Sequence, residues 1–139
     1  MGLAIVVYVQ PGRRTSEKTL QTELKQLLLN EFIDGEAILG AAITDQNGVA
    51  VVHHIPNTMT VKSFRNVMSL LELAQHAARI SDDLVGQYQY LVIRYANFKV
   101  AFFEIKNKGW LVIFVNPMWH VENLLVKIRQ FMVKISRML

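Results

Sequence analysis

Apolar and polar positions along the chain recur with two periods, and the switches between them mark out its elements. Two short apolar runs within residues 38–54 meet at Asp45-Gln46-Asn47-Gly48. Asn-Gly is the strongest short-range hairpin signal, because a tight primed turn needs positive φ at both central residues. A β-hairpin is therefore expected here, with the other elements placed around it. Ahead of it, residues 3–9 (LAIVVYV) are rich in β-branched side chains and stop at Pro11-Gly12, which predicts an extra N-terminal strand at a sheet edge. Thr15 or Ser16 then caps a helix, with Glu17 in its first turn, where the helix dipole favours an acid. Leu20, Leu24, Leu27, Leu28 and Phe32 follow at helical spacing, and the helix is expected to end near Asp34-Gly35.

Beyond the hairpin, Pro56-Asn57 closes its second strand, and Thr58 or Thr60 caps a second helix that the pattern carries to about Ile80. At about 100° per residue, Val61, Phe64, Val67, Met68, Leu71, Ala74 and Ala78 form one face. Leu70, Leu73, Ala77 and Ile80 fall well outside it, while Arg65, Ser69, Glu72, His76 and Arg79 form the one continuous polar stripe. A helix apolar over more than half its circumference needs two covers, its own sheet and something else. Asp82-Asp83 and Gly86 mark a loop, and three strands follow at residues 87–95, 98–105 and 110–115. Ala96-Asn97 and Asn107-Lys108-Gly109 are the turns between them. Trp110-Leu-Val-Ile-Phe-Val115 has no polar alternation, so both its faces are expected to be buried and the sheet to lie between two helix layers. Asn116 as N-cap and Pro117 at the first helical position start the last helix. Its buried face is Val121, Leu124, Leu125, Ile128, Phe131, Met132 and Ile135. The fold class is α+β, a five-stranded antiparallel sheet sandwiched between helices. Residues 1–14 form the extra strand and turn, and residues 15–139 form the domain.

Composition narrows the choice of function. A chain of 139 residues builds one domain with one real core. It is 52% apolar and only 19% charged, a surplus of apolar surface that suits a partner. The net charge of +4 comes from scattered Lys and Arg, too few and too dispersed for nucleic acid or a membrane surface. Cysteine is absent, which excludes disulfides and thiolate chemistry and fits a cytoplasmic, reducing setting. Residues 3–9 have no basic residue ahead of them, and they are far shorter than the ~20 residues of a membrane span.

No stretch carries a catalytic motif. His53 and His54 are adjacent on a strand and point to opposite faces, so they cannot share a metal ion unaided. His76 and His120 sit on different helices without a carboxylate at i+4. Asp45-Gln46-Asn47-Gly48 has its glycine too early for a calcium loop and no closing glutamate, and Asp82-Asp83 reads as a solvated helix end. Neither a phosphate-cradling loop nor a nucleophile elbow is present. Lys127, Gln130, Lys134 and Arg137 line one side of the last helix and read as its wet side. Tyr88, Tyr90 and Tyr95 around Arg94 read as packing rather than base stacking. The chain is therefore expected to be no enzyme and to need no cofactor or metal.

Gly40-Ala-Ala-Ile-Thr-Asp-Gln-Asn-Gly48 with Val49-Ala-Val-Val, Leu70-Leu-Glu-Leu-Ala-Gln-His-Ala-Ala78, and Trp110-Leu-Val-Ile-Phe-Val-Asn116 before a terminal helix carry a family resemblance. Over residues 16–139 the chain resembles the Roadblock family of dynein light chains and small-GTPase regulators, a fold related to the longin and profilin-like α/β/α folds. The extra strand and the basic residues of the last helix depart from the minimal family pattern. The resemblance implies a dimer with itself or a paralogue, in which the strand after the second helix pairs with its mate and the second helices pack together. That interface is assigned to Leu70, Leu73, Ala77, Ile80, Leu91 and Ile93. The resemblance to prokaryotic members further implies a scaffold that binds a small Ras-like GTPase, with Arg65, Ser69, Glu72, His76 and Arg79 as the contact stripe. A small-molecule sensor of the profilin-like or PAS type is the alternative, as is a structural subunit of a motor or membrane-associated complex.

Overall fold

The computed structural model describes residues 18–139. The expected N-terminal strand and the capping residues Thr15, Ser16 and Glu17 lie outside the described residues. Helix α1 covers residues 18–27 and closes through a wide π-helical turn, Leu28–Phe32, in which the Ile33 N–H donates to the Leu28 carbonyl at 2.9 Å. Asp34 then ends it. One of its carboxylate oxygens accepts the N–H groups of Glu36, Ala37 and Ile38 at 2.8, 2.8 and 3.0 Å. Burial pushes the Asp34 carboxyl up, but these bonds and the Lys127 ammonium outweigh it and hold the group below its usual range.

Strands β1 (Ile38–Thr44), β2 (Ala50–His54), β3 (Leu91–Arg94), β4 (Lys99–Ile105) and β5 (Gly109–Val115) form one antiparallel sheet in the order β2-β1-β5-β4-β3. Every residue of the central strand β5 is buried, as its unbroken apolar run predicts. Leu111, Ile113 and Val115 enter a core under α1 and the last helix, whereas Trp110, Val112 and Phe114 enter a second core on the opposite face. On β1, Ile38 and Ala41 are three apart yet share one core. A register shift between Ile38 and Gly40 in the pairing with β5 resets the alternation.

Several boundaries differ from the sequence expectation, each for a local reason. In the first hairpin, Gly48 alone takes a positive φ (+85°). The Gly48 N–H donates to the Asp45 carbonyl, and Asp45 Oδ1 accepts from Asn47 and Val49, so a three-residue loop replaces the primed Asn-Gly turn. The second helix is two helices, α2 (Val61–Met68) and α3 (Leu71–Ala78). Of the two expected candidates, Thr58 and Thr60, it is Thr60 that caps α2, through the Ser63 N–H. At the break, the Ser69 hydroxyl donates to the Asn66 carbonyl and the Leu70 N–H turns to Val67, three residues back. Val61, assigned to the sheet-facing side, is instead 55% exposed in the first turn. Strand β3 is shorter than residues 87–95, because the Tyr88 hydroxyl, not its main chain, engages β4, donating to the Phe102 carbonyl at 2.5 Å.

The last helix does not begin at Pro117. Asn116 Oδ1 accepts the Met118 N–H within a separate turn, and a 3₁₀ turn at Val121–Leu124 leads into α4 (Leu125–Ser136). Its buried face is otherwise as expected, and Phe131 stacks on Phe32 of α1 with ring centroids 4.3 Å apart. No described helix is long and apolar enough to cross a membrane.

Gly40 has no room for a side chain, since a Cβ there would lie 2.6 Å from both the His54 carbonyl oxygen and the Pro56 ring. Gly40→Ala is expected to destabilise the fold by about 1–3 kcal/mol, the range of an overpacked site, read as a lower urea midpoint at unchanged m-value.

Candidate interaction surface

Among the described residues the sheet has two outer strands, β2 and β3, and they are not equivalent. Along β2, Lys25 of α1 reaches over and donates its ammonium to the His53 carbonyl, so a lysine sits on this edge. Along β3 the ladder itself shows what is free. The Tyr95 N–H donates to the Phe98 carbonyl at 2.8 Å across a two-residue turn at Ala96-Asn97, as expected from the sequence. Alternation in an antiparallel pair then turns the main-chain groups of Val92 and Arg94 away from β4, outward along an edge that no described strand pairs.

Side chains next to that edge fall into two sets. Leu91 and Ile93 are half-buried and pack into the core under α2 and α3, together with Leu70, whereas Val92 faces the opposite core. On α3, Leu73 is 52% exposed and Ala77 half-buried, and Ile80, just beyond the end of the helix, is 56% exposed. The bend at Ser69 thus tucks Leu70 against the sheet, while Leu73 of α3 and Ile80 just after it stay in water. The polar stripe Arg65, Ser69, Glu72, His76 and Arg79 is exposed throughout. Among the described residues, only Ser69 of these five makes a side-chain hydrogen bond, to the Asn66 carbonyl, and the other four charged or imidazole groups face solvent without an ion pair.

Other candidate groups find ordinary partners. The His53 ring lies 5.1 Å from the Phe64 ring, Tyr88 meets Trp110 edge-on, and Tyr90 stacks on Phe103. Lys127 and Lys134 of the basic stripe on α4 pair with Asp34 and Glu31 of α1 at 3.2 and 2.7 Å. Among the described residues, no three of His, Asp and Glu gather as a metal site would require.

Two features were not drawn from the sequence. One is an open pocket of about 410 Å³ between the start of α2 and the β3–β4 turn, lined by Met59, Ser63, Val67, Tyr95, Phe98 and Val100 among others. The other is the loop after α3, where Leu84 is 97% and Val85 67% exposed. Asp82 Oδ1 accepts the N–H groups of both at 2.9 and 2.7 Å, which fixes the loop. Two apolar residues between Asp82-Asp83 and Gly86 were the available signal.

Neither a family model nor a curated protein sequence matches the chain. Solved structures do. The gliding protein MglB from Thermus thermophilus superposes with a TM-score of 0.64 at 13% identity, over 88% of this chain and 90% of that one. MglC from Myxococcus xanthus gives 0.58 at 11% identity, over 89% and 99%. A Roadblock/LC7 domain from Streptomyces avermitilis gives 0.58 at 10% identity, over 73% and 84%.

Burial and then the Lys25 cation hold both His53 and His54 below the ordinary imidazole value of 6.5. Since the folded values lie below the unfolded one, the neutral rings add stability that is complete above about pH 6.5 and declines as pH falls through the folded values. Lys25→Met is expected to move both titration midpoints up towards 6.5, measured by histidine NMR.

Proposed function

We propose that this chain, which has the Roadblock fold, is a dimeric, non-catalytic regulator that binds a small Ras-like GTPase in the cytoplasm. The observation that carries the reading is a β3 edge that no described strand pairs, together with exposed apolar side chains, Leu73 and Ile80, in the helical layer on one face of the sheet. An edge strand with unpaired main-chain groups and a nearby apolar surface is the ordinary template for adding another copy. A two-fold axis at β3 joins the two sheets and brings the two α3 helices together, burying Leu73, Ala77 and Ile80. The likeness to MglB and MglC supports the choice of a GTPase system.

In this reading the stripe Arg65, Ser69, Glu72, His76 and Arg79 meets the GTPase. Its charged groups have no ion-pair partners among the described residues to give up, so they can form cross-interface pairs without first breaking those.

Light scattering is expected to give twice the chain mass of 15.9 kDa. Leu73→Asp combined with Ala77→Asp is expected to give the monomer mass, and a mass unchanged by the pair would remove this interface. Val92→Pro, which deletes an outward N–H while leaving an apolar side chain, is expected to weaken dimerisation without unfolding the domain. Arg79→Glu is expected to weaken co-elution with a cognate Ras-like GTPase about tenfold while leaving the dimer mass unchanged. A wild-type chain that neither co-elutes with such a GTPase nor alters its nucleotide cycle would sink the GTPase half of the reading.

A further inference from the structure

We infer that the loop bearing Leu84 is an anchor that fills the pocket between α2 and the β3–β4 turn of a second copy of this chain, so that each dimer carries two reciprocal Leu84 plugs. The inference rests on the β3-paired dimer proposed above and specifies a contact that the sheet joint alone does not require.

Its basis is the direction of the elements. The start of α2 and the β3–β4 turn meet at one end of the sheet, where they wall the pocket. The end of α3 lies at the other end, since Ala78 and Arg79 share a polar cleft with Glu104 and Trp110, at the far ends of β4 and β5. The loop after α3 starts from that far end, and β3 then runs back towards the turn. A two-fold axis that sets one β3 antiparallel to its mate places the far end of one copy beside the turn end of the other. The loop of one copy thereby comes to the pocket of its partner, on the same face of the joined sheet.

Chemistry fits the position. The pocket walls from Met59, Val67, Tyr95, Phe98 and Val100 are apolar, and its volume of about 410 Å³ takes a leucine side chain with room to spare. Leu84 is 97% exposed, which a free monomer gains nothing from, and Asp82 holds the loop in shape through two main-chain bonds. An anchor fixed in advance loses little conformational freedom on docking.

The chain has no cysteine, so single-cysteine variants give a clean test. Leu84→Cys and Met59→Cys proteins are mixed, allowed to exchange subunits and oxidised with copper phenanthroline. The expected result is a covalent dimer in the mixture and none with Leu84→Cys alone, because the two-fold axis keeps the two Leu84 residues apart. Thr58→Cys repeats the measurement at the pocket rim, should the change at half-buried Met59 disturb the fold. Leu84→Asp is expected to raise the dimer dissociation constant at least tenfold, and Leu84→Met to restore it. Non-covalent dimers that give no mixed cross-link overturn the anchor while leaving the dimer standing, whereas a monomeric wild-type chain overturns the dimer itself. If Leu84→Asp leaves the dimer unchanged but abolishes co-elution with the GTPase, the loop contacts the GTPase and the anchor is overturned.

Discussion

The structure depends on a central strand with no side that tolerates water. Each residue of β5 is buried, with successive side chains sent alternately into the two cores. Such a strand needs hydrogen-bonded neighbours on both edges, which β1 and β4 supply, and an apolar layer above and below. The layer from α1 and α4 is complete within one chain, sealed by the Phe32–Phe131 stack and by Leu24, Leu28, Ile128 and Ile135, all fully or nearly fully buried. The other layer is thinner. It consists of a bent pair of two-turn helices, and it ends with large apolar side chains on its outer side.

Electrostatics plays a lesser part in holding the layers. The pairs Lys127–Asp34 and Lys134–Glu31 join α4 to α1, but each has its groups roughly a third to a half exposed. Exposed pairs of this kind contribute about 0.2–1 kcal/mol each, against about 1.5–3 kcal/mol for one fully buried large apolar side chain. The stack beneath these pairs therefore outweighs them, and the ion pairs set orientation more than stability. Asp34 differs, because its carboxylate also satisfies three main-chain donors where the chain turns from α1 into β1.

Where the period of the pattern alone decided, the sequence was a sufficient guide. The unbroken run at Trp110 gave a doubly buried strand, and the 3.6-residue repeat gave the faces of α1 and α4. Errors arose where a side chain competes with the main chain. Asp45 takes the donors that a primed turn at Asn47-Gly48 would have left free, Ser69 diverts a long helix into two, and Asn116 closes a turn before α4 can start. These are contests between bonds of similar strength, and residue identity alone does not reveal which one wins. Among the surface residues, Leu73 and Ile80 could be placed by angle around the helix, but the exposure of Leu84 and the pocket near Met59 depend on how distant elements meet.

The lysine laid across β2 has a further meaning. A flat sheet with two unguarded borders is a monomer unit for polymer growth, since every added copy offers a fresh border to the next. Among the described residues, an ammonium group lies on the His53 carbonyl of the β2 border, where it stands in the way of a further strand. Lys25 thereby works against edge-to-edge growth of an open fibre along β2.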